Sequence, residues 1–126
     1  MISSNALAQL SAILSGGQGA DQAHPIRLIS LGLSAYDMVW TVNALPAGGG
    51  KIRALAFDEG GGGMAANASV VAARLGAEVR FWGRAGNDRS GAAMRDALAT
   101  EGVDVNGFRC FDGAASSISG VVVDVH

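Results

Sequence analysis

Four glycines, Gly60 to Gly63, stand directly before an amphipathic stretch whose first turn carries a polar amide, Asn67. A helix start leaves several backbone N–H groups without intrahelical partners, and the helix dipole adds partial positive charge there. Glycines just upstream let a ligand approach that backbone without meeting a Cβ. The combination describes a site for a small, oxygen-rich ligand such as a sugar or a phosphate ester. Asp37 belongs with it, because it follows the first apolar run by a few residues, where open α/β sheets place their ligands. A carboxylate there can accept two sugar hydroxyl protons at once. Asn67 can donate to one hydroxyl and accept from another, and the N–H groups near Gly63 add donors. Taken singly, Asp37 reads as a turn-capping carboxylate, Asn67 as an exposed helix amide and the glycines as a loose loop; only the joint pattern favours a site. Lys51, the one lysine, and Arg53 fall on a proposed flap strand. Charges on an edge strand usually serve solubility, but a flap cation can also pair with an anionic group on a substrate.

Other chemistries fit less well. A phosphate-binding P-loop needs glycine, four residues, then Gly-Lys-Ser/Thr; before Lys51 the first glycine position is Leu45, and Ile52 follows. A dinucleotide-binding oxidoreductase fragment is the weaker alternative, since Ala65 occupies the third glycine position and the glycines follow a flap rather than the first strand. Neither His24 nor His126 sits in a metal-ligand or triad pattern, so no metal site is expected. The single cysteine, Cys110, forms no internal disulfide, fits a reducing, cytoplasmic compartment and is expected to be buried or half-buried. The net charge is −2, and the arginines are scattered, which gives nucleic-acid binding no electrostatic support. No apolar run is long enough to span a bilayer.

The elements that must position these residues alternate strand and helix. Residues 1–25 read as an appendage: a weak helical pattern over Asn5–Leu14, then a linker rich in glycine. From residue 26, Ile26 to Leu33 suits a strand buried on both faces. Tyr36–Val42 and Lys51–Phe57 flank a Pro/Gly turn and predict a two-stranded flap over about 36–57. The helix after the glycines places Met64, Ala68, Val71, Ala72 and Leu75 on one face and ends at Gly76. Glu78–Trp82 alternates as a strand, with Gly83 and Gly86 serving the turn at its end. Asp88 or Ser90 caps a second helix through Leu98, and Gly102 terminates it. Arg109–Phe111 and Ile118–Val125 complete the strands. Alternating β and α units predict an α/β fold with a mainly parallel sheet.

The same residues, read in order, resemble the ribokinase-like (PfkB) sugar kinases. The chain has the strand leading to Asp37, a short lid, the GG-x-x-x-N helix start (Gly62, Gly63, Asn67), FWGRAGND (Phe81 to Asp88), EGVDV (Glu101 to Val105) and VVD (Val122 to Asp124). The resemblance covers roughly residues 26–126, the N-terminal part of such a kinase. It implies a three-layer α/β/α fold with a small β lid, and ATP-dependent phosphorylation of a sugar hydroxyl. Asp37, Gly62, Gly63 and Asn67 would hold the sugar. Gly49-Gly50-Lys51, Ser116, Ser117 and Ser119 resemble the sulfofructose kinase branch more narrowly, which would give Lys51 an anionic sugar to read. Met64 departs from the lysine or asparagine found there in ribokinase-type and ketohexokinase-type members, so ribose-like, fructose-like and sulfosugar substrates stay open. The resemblance further implies ATP and Mg²⁺ for the full-length enzyme and a homodimer formed through the lid. The family's later G-A-G-D segment, which supplies the anion hole and catalytic base, is not in this sequence. The chain is therefore expected to hold no catalytic residue and to be inactive alone, as a truncated gene product; the alternative is a non-catalytic sugar-binding or oligomer-forming remnant.

Overall fold

The computed structural model of the chain describes residues 25–126, and the helix expected over Asn5–Leu14 lies outside them. The described elements run β1 (Arg27–Leu31), β2 (Ala35–Val42), β3 (Ala56–Gly62), α1 (Met64–Arg74), β4 (Glu78–Gly86), α2 (Arg89–Thr100), β5 (Asp104–Phe111) and β6 (Ile118–Asp124). They form two three-stranded sheets, β1-β4-β5 and β3-β2-β6. The first is wholly parallel, each strand reached through a helix or a crossover. In the second, β2 is antiparallel to β3 and parallel to β6. The flap expected from two strands is thus a three-stranded sheet, because β6 pairs along β2 from Tyr36↔Ile118 to Val42↔Asp124.

Both helices cover one face of the parallel sheet. Val79, Phe81 and Ala85 of β4 alternate inward and meet Ala66 of α1, Met94 and Leu98 of α2, and Phe108 of β5. Phe81 and Phe108 stack in a tilted pair with centroids 5.8 Å apart, and Phe81 has no exposed surface. Burying aromatic and branched side chains of this size is the main favourable term in a domain of about this length. Tyr36 joins the same cluster from β2, so the core continues under the base of the second sheet.

Several expectations change. β1 is not buried on both faces: Ile29 and Leu31 are 67% and 76% exposed. Among the described residues it pairs only with β4, and α1 lies over the face that carries Ser30, whose hydroxyl donates to Ala65 O at 3.2 Å. In α1 the buried side is Ala66 and Ser69, while Met64 and Val71 are exposed. The reason is close approach. A Cβ at Gly32 would lie 2.9 Å from Ala65 Cβ, so small residues face the sheet at this crossing while Met64 and Val71 turn outward. Cys110 is exposed, lying on the outer strand β5. Gly83 lies within β4, which runs on to Gly86 rather than ending at Trp82.

Candidate sugar-binding site

The glycine run is not a loop. Gly60, Gly61 and Gly62 are the last residues of β3, opposite Asp37, Tyr36 and Ala35 of β2. That pairing carries Asp37 to the glycines. A Cβ at Gly62 would fall on the Asp37 carboxylate, 2.7 Å from Cγ and nearer still to Oδ2, so the acid occupies the space that the missing side chain leaves. Gly63 then turns the chain into α1 at φ 98°, ψ 142°, a conformation essentially reserved for glycine. A Cβ there would lie 2.7 Å from Leu33 O and 2.8 Å from Ser34 Cα. The backbone after β1 therefore packs directly on the helix start, with Ala66 N donating to Leu33 O at 3.4 Å.

The two helix starts differ in a way that matters for binding. Asp88 caps α2, accepting from Gly91 N at 2.8 Å. Among the described residues no side chain caps α1, whose first position follows Gly63. An uncapped start leaves first-turn N–H groups for an oxygen-bearing ligand, and the helix dipole adds partial positive charge. Asn67 is exposed on that first turn. It shares with Gly62 the wall of an open cavity of about 340 Å³ between α1 and α2, lined also by Val70, Met94 and Leu98. Gly62 thus touches the Asp37 carboxylate and also lines the cavity beside Asn67.

Asp37, Gly62 and Gly63 come together as one cluster, with Asn67 a turn further along. Lys51 does not join them. It and Arg53 lie on the exposed loop between β2 and β3 rather than on a strand, since β3 begins only at Ala56. Leu55 N closes that loop onto Thr41 O at 2.8 Å, just past the Gly48–Gly50 turn, where the chain has no ladder partner for an earlier strand start. Sequence reasoning placed Ser116 in a polar series and did not find its partner. It is buried and joined to Asp88 by its N–H at 2.9 Å and its hydroxyl at 2.6 Å.

The hydrogen bond from the Ser116 hydroxyl, followed by those from the backbone N–H groups of Gly91 and Ser116, holds the Asp88 carboxyl below its usual range. Glu101 moves the same way through the hydrogen bonds of Arg74, and Asp104 through the Asn106 N–H and then Arg80. A carboxyl that is more acidic when folded stabilises the fold fully above the ordinary carboxylate range. That contribution is lost as the pH falls below about 4. The urea midpoint is expected to drop between about pH 5 and about pH 3, and Asp88→Ala to show a smaller drop over the same interval. An equal drop in parent and variant would assign the acid sensitivity to the other carboxyls.

A parallel sheet with helices on one face, a second small sheet above it and a glycine-opened helix start beside an acid define a ribokinase-like α/β fold. The chain belongs to the pfkB family of carbohydrate kinases, whose model matches residues 26–126. It is 29% identical over 99 residues to an ATP-dependent ribose-1-phosphate kinase of Halopiger xanaduensis, covering 79% of this chain and 33% of that protein. It is 44% identical over 84 residues to a fructokinase of Klebsiella pneumoniae, covering 67% of this chain and 25% of that one. Among solved structures, Arabidopsis thaliana ribokinase complexed with ribose and ATP superposes with a TM-score of 0.68 at 26% identity, over 78% of this chain and 32% of that one. The chain thus spans about a third or less of the relatives it matches. Among the described residues no helix is long and apolar enough to cross a membrane, and no group of three or more His, Cys, Asp or Glu side chains converges as a metal site.

Proposed function

We propose that this chain supplies the sugar-binding part and the lid of an ATP-dependent carbohydrate kinase. The observation that carries the reading is the uncapped start of α1 set against the Asp37 carboxylate. It combines acceptors for vicinal hydroxyls with backbone donors for the sugar oxygens. Asp37 accepts from two hydroxyls, the N–H groups beyond Gly62 and Gly63 donate, and Asn67 does both. ATP is the phosphoryl donor and Mg²⁺ its companion ion, as phosphoryl transfer rests on positioning and on neutralising the phosphate charge. Nothing in the Asp37 cluster supplies an anion hole for a phosphoryl group or a base for the attacking hydroxyl, so those parts belong to a longer form of the enzyme, which works in the cytoplasm. Lys51 on the lid loop favours an anionic sugar, such as a sulfonated ketose, as one substrate class beside neutral ribose and fructose.

Calorimetric titration of D-ribose, D-fructose and a sulfonated ketose into the chain tests the reading, with an ATP-turnover assay alongside. At least one sugar is expected to bind, and turnover at the roughly 1–100 s⁻¹ typical of kinases is not expected. Absence of binding by all three sugars would remove the sugar-site reading. Turnover by the chain alone would show that the phosphoryl-transfer groups are present in it after all.

The second sheet also supports a homodimer through the lid. Among the described residues nothing pairs with the outer edges of β3 and β6, and Val121, Val122 and Val123 of β6 are all exposed. Unpaired strand edges with apolar side chains invite pairing with another chain. Val121→Lys together with Val123→Lys puts charge on the exposed β6 edge strand and is expected to give a monomer in sedimentation velocity. A dimer that survives both substitutions would place the interface elsewhere.

A further inference from the structure

The base of the sugar site is tied to the end of the parallel sheet through one carboxylate. Asp88 stands at the end of the parallel sheet, just beyond β4, and Ser116 stands in the loop that leads from β5 to β6. One Asp88 oxygen accepts from both Gly91 N (2.8 Å) and the Ser116 hydroxyl (2.6 Å), and the other accepts from Ser116 N (2.9 Å). The same Ser116 hydroxyl oxygen accepts from the buried Gly86 N at 3.1 Å. The packing around this knot has no slack. A Cβ at Gly86 would meet Ala114 O and lie 2.8 Å from Ser116 N, and a Cβ at Gly91 would meet Gly86 O. One residue further along, Ser117 O accepts from Tyr36 N at 2.9 Å. Tyr36 is buried beside Asp37, and Asp37 is in register with Ser119 of β6.

We infer that Asp88 is a positioning residue for the sugar site: through Ser116 and Ser117 it fixes the β2 backbone at Tyr36 and so sets where the Asp37 carboxylate stands. This extends, and rests on, the sugar-binding reading above. Capping α2 needs only one acceptor, which serine, threonine or asparagine would supply equally well. The structure uses both oxygens of a carboxylate and three donors. Two of those donors belong to Ser116, which is no part of the helix. The surplus over a cap is what ties the two sheets together.

Asp88→Ser separates the two roles. A serine hydroxyl still caps α2 but is one atom shorter and has a single oxygen, so it cannot also hold the Ser116 N–H and hydroxyl. Ser116→Ala removes the hydroxyl half of the tie from the other side, leaving the backbone N–H bond to Asp88 and the Asp88 cap in place. Amide hydrogen exchange, followed residue by residue by NMR on the chain and both variants, is the direct readout, with sugar affinity measured by calorimetry using D-ribose and D-fructose. Each variant is expected to speed exchange at Tyr36 N–H by at least about tenfold while Phe81 N–H in the core keeps its protection, and to weaken binding of whichever sugar the parent binds by about tenfold. Should Asp88→Ser lose helicity, the Ser116→Ala comparison decides. Unchanged protection at Tyr36, or loosening of Tyr36 and Phe81 by the same factor, overturns the inference, since the first shows no tie and the second only a global loss of stability. If Tyr36 loosens selectively and the parent binds neither of these sugars nor a sulfonated ketose, the tie stands and the sugar-binding reading falls. If the parent binds sugar and Tyr36 is unmoved, the reading stands and the tie falls.

Discussion

Replacing Gly63 with alanine is expected to cost this chain its fold, or about 3 kcal/mol and more of it if the variant still folds. Two costs add at this position. The backbone sits at φ 98°, where a side chain is strained whatever the space around it. The added Cβ would also press on backbone atoms, at 2.7 Å from Leu33 O, 2.8 Å from Ser34 Cα and 2.9 Å from Ala35 N. Backbone cannot swing aside as a flexible side chain can, so relief would need β1 and α1 to separate. Domains of this size are stable by only about 5–15 kcal/mol. In thermal unfolding followed by circular dichroism, a loss of that size lowers the midpoint by roughly 10–20 °C. Its neighbours provide the contrast. At Gly60 a Cβ would meet nothing within 4 Å, so Gly60→Ala is expected to leave stability within about 0.5 kcal/mol of the parent. At Gly62 the Cβ would collide with the Asp37 side chain, which can rotate away, so Gly62→Ala is expected to spare the fold and weaken sugar binding. A Gly63→Ala midpoint equal to that of Gly60→Ala would mean that the β1–α1 junction is not as closely packed as these distances require.

The three glycines also show what a sequence can and cannot disclose. Their placement was legible: the glycine run does lead into a helix start, with Asn67 on its first turn and Asp37 beside it. Their conformation was not. Glycine has low strand propensity, so nothing local marks Gly60–Gly62 as β3. The pairing that makes them a strand comes from β2, with Gly60 opposite Asp37. Tertiary pairing overrides local preference there. The lid loop was misjudged for the converse reason: Lys51 to Ala54 alternates well enough for a strand, but among the described residues the ladder to β2 begins only at Ala56. In α1, periodicity selected the side with the larger apolar residues. The sheet selected the side with the smaller ones, because Gly32 and Ala65 bring the two backbones together. Asp88 as a helix cap could be read from its place before Arg89. Its bond to Ser116, in a loop beyond the next strand, could not.

Asp37→Ala is expected to remove sugar binding while leaving the fold in place. Asp37 is half-buried and its carboxylate rests over Gly62, so its loss opens a small space and breaks no core contact. The cost falls on the ligand. Two sugar hydroxyls that donated to a charged acceptor would be left without one, at about 1.5–3 kcal/mol for each hydrogen bond. The lower figure for a single bond is already roughly a tenfold loss of affinity, and two bonds exceed a hundredfold. Asp37→Asn separates charge from geometry. Its amide keeps one acceptor in nearly the same place and turns a donor toward the second hydroxyl, so its affinity should fall between parent and alanine. Calorimetry with D-ribose or D-fructose measures each step. Far-UV circular dichroism of both variants should match the parent. If the sugar affinity of Asp37→Ala equals that of the parent, the acid serves only to fill the space above Gly62. The hydroxyl acceptor would then have to be sought at Asn67, the other group in the cluster able to accept a hydroxyl proton.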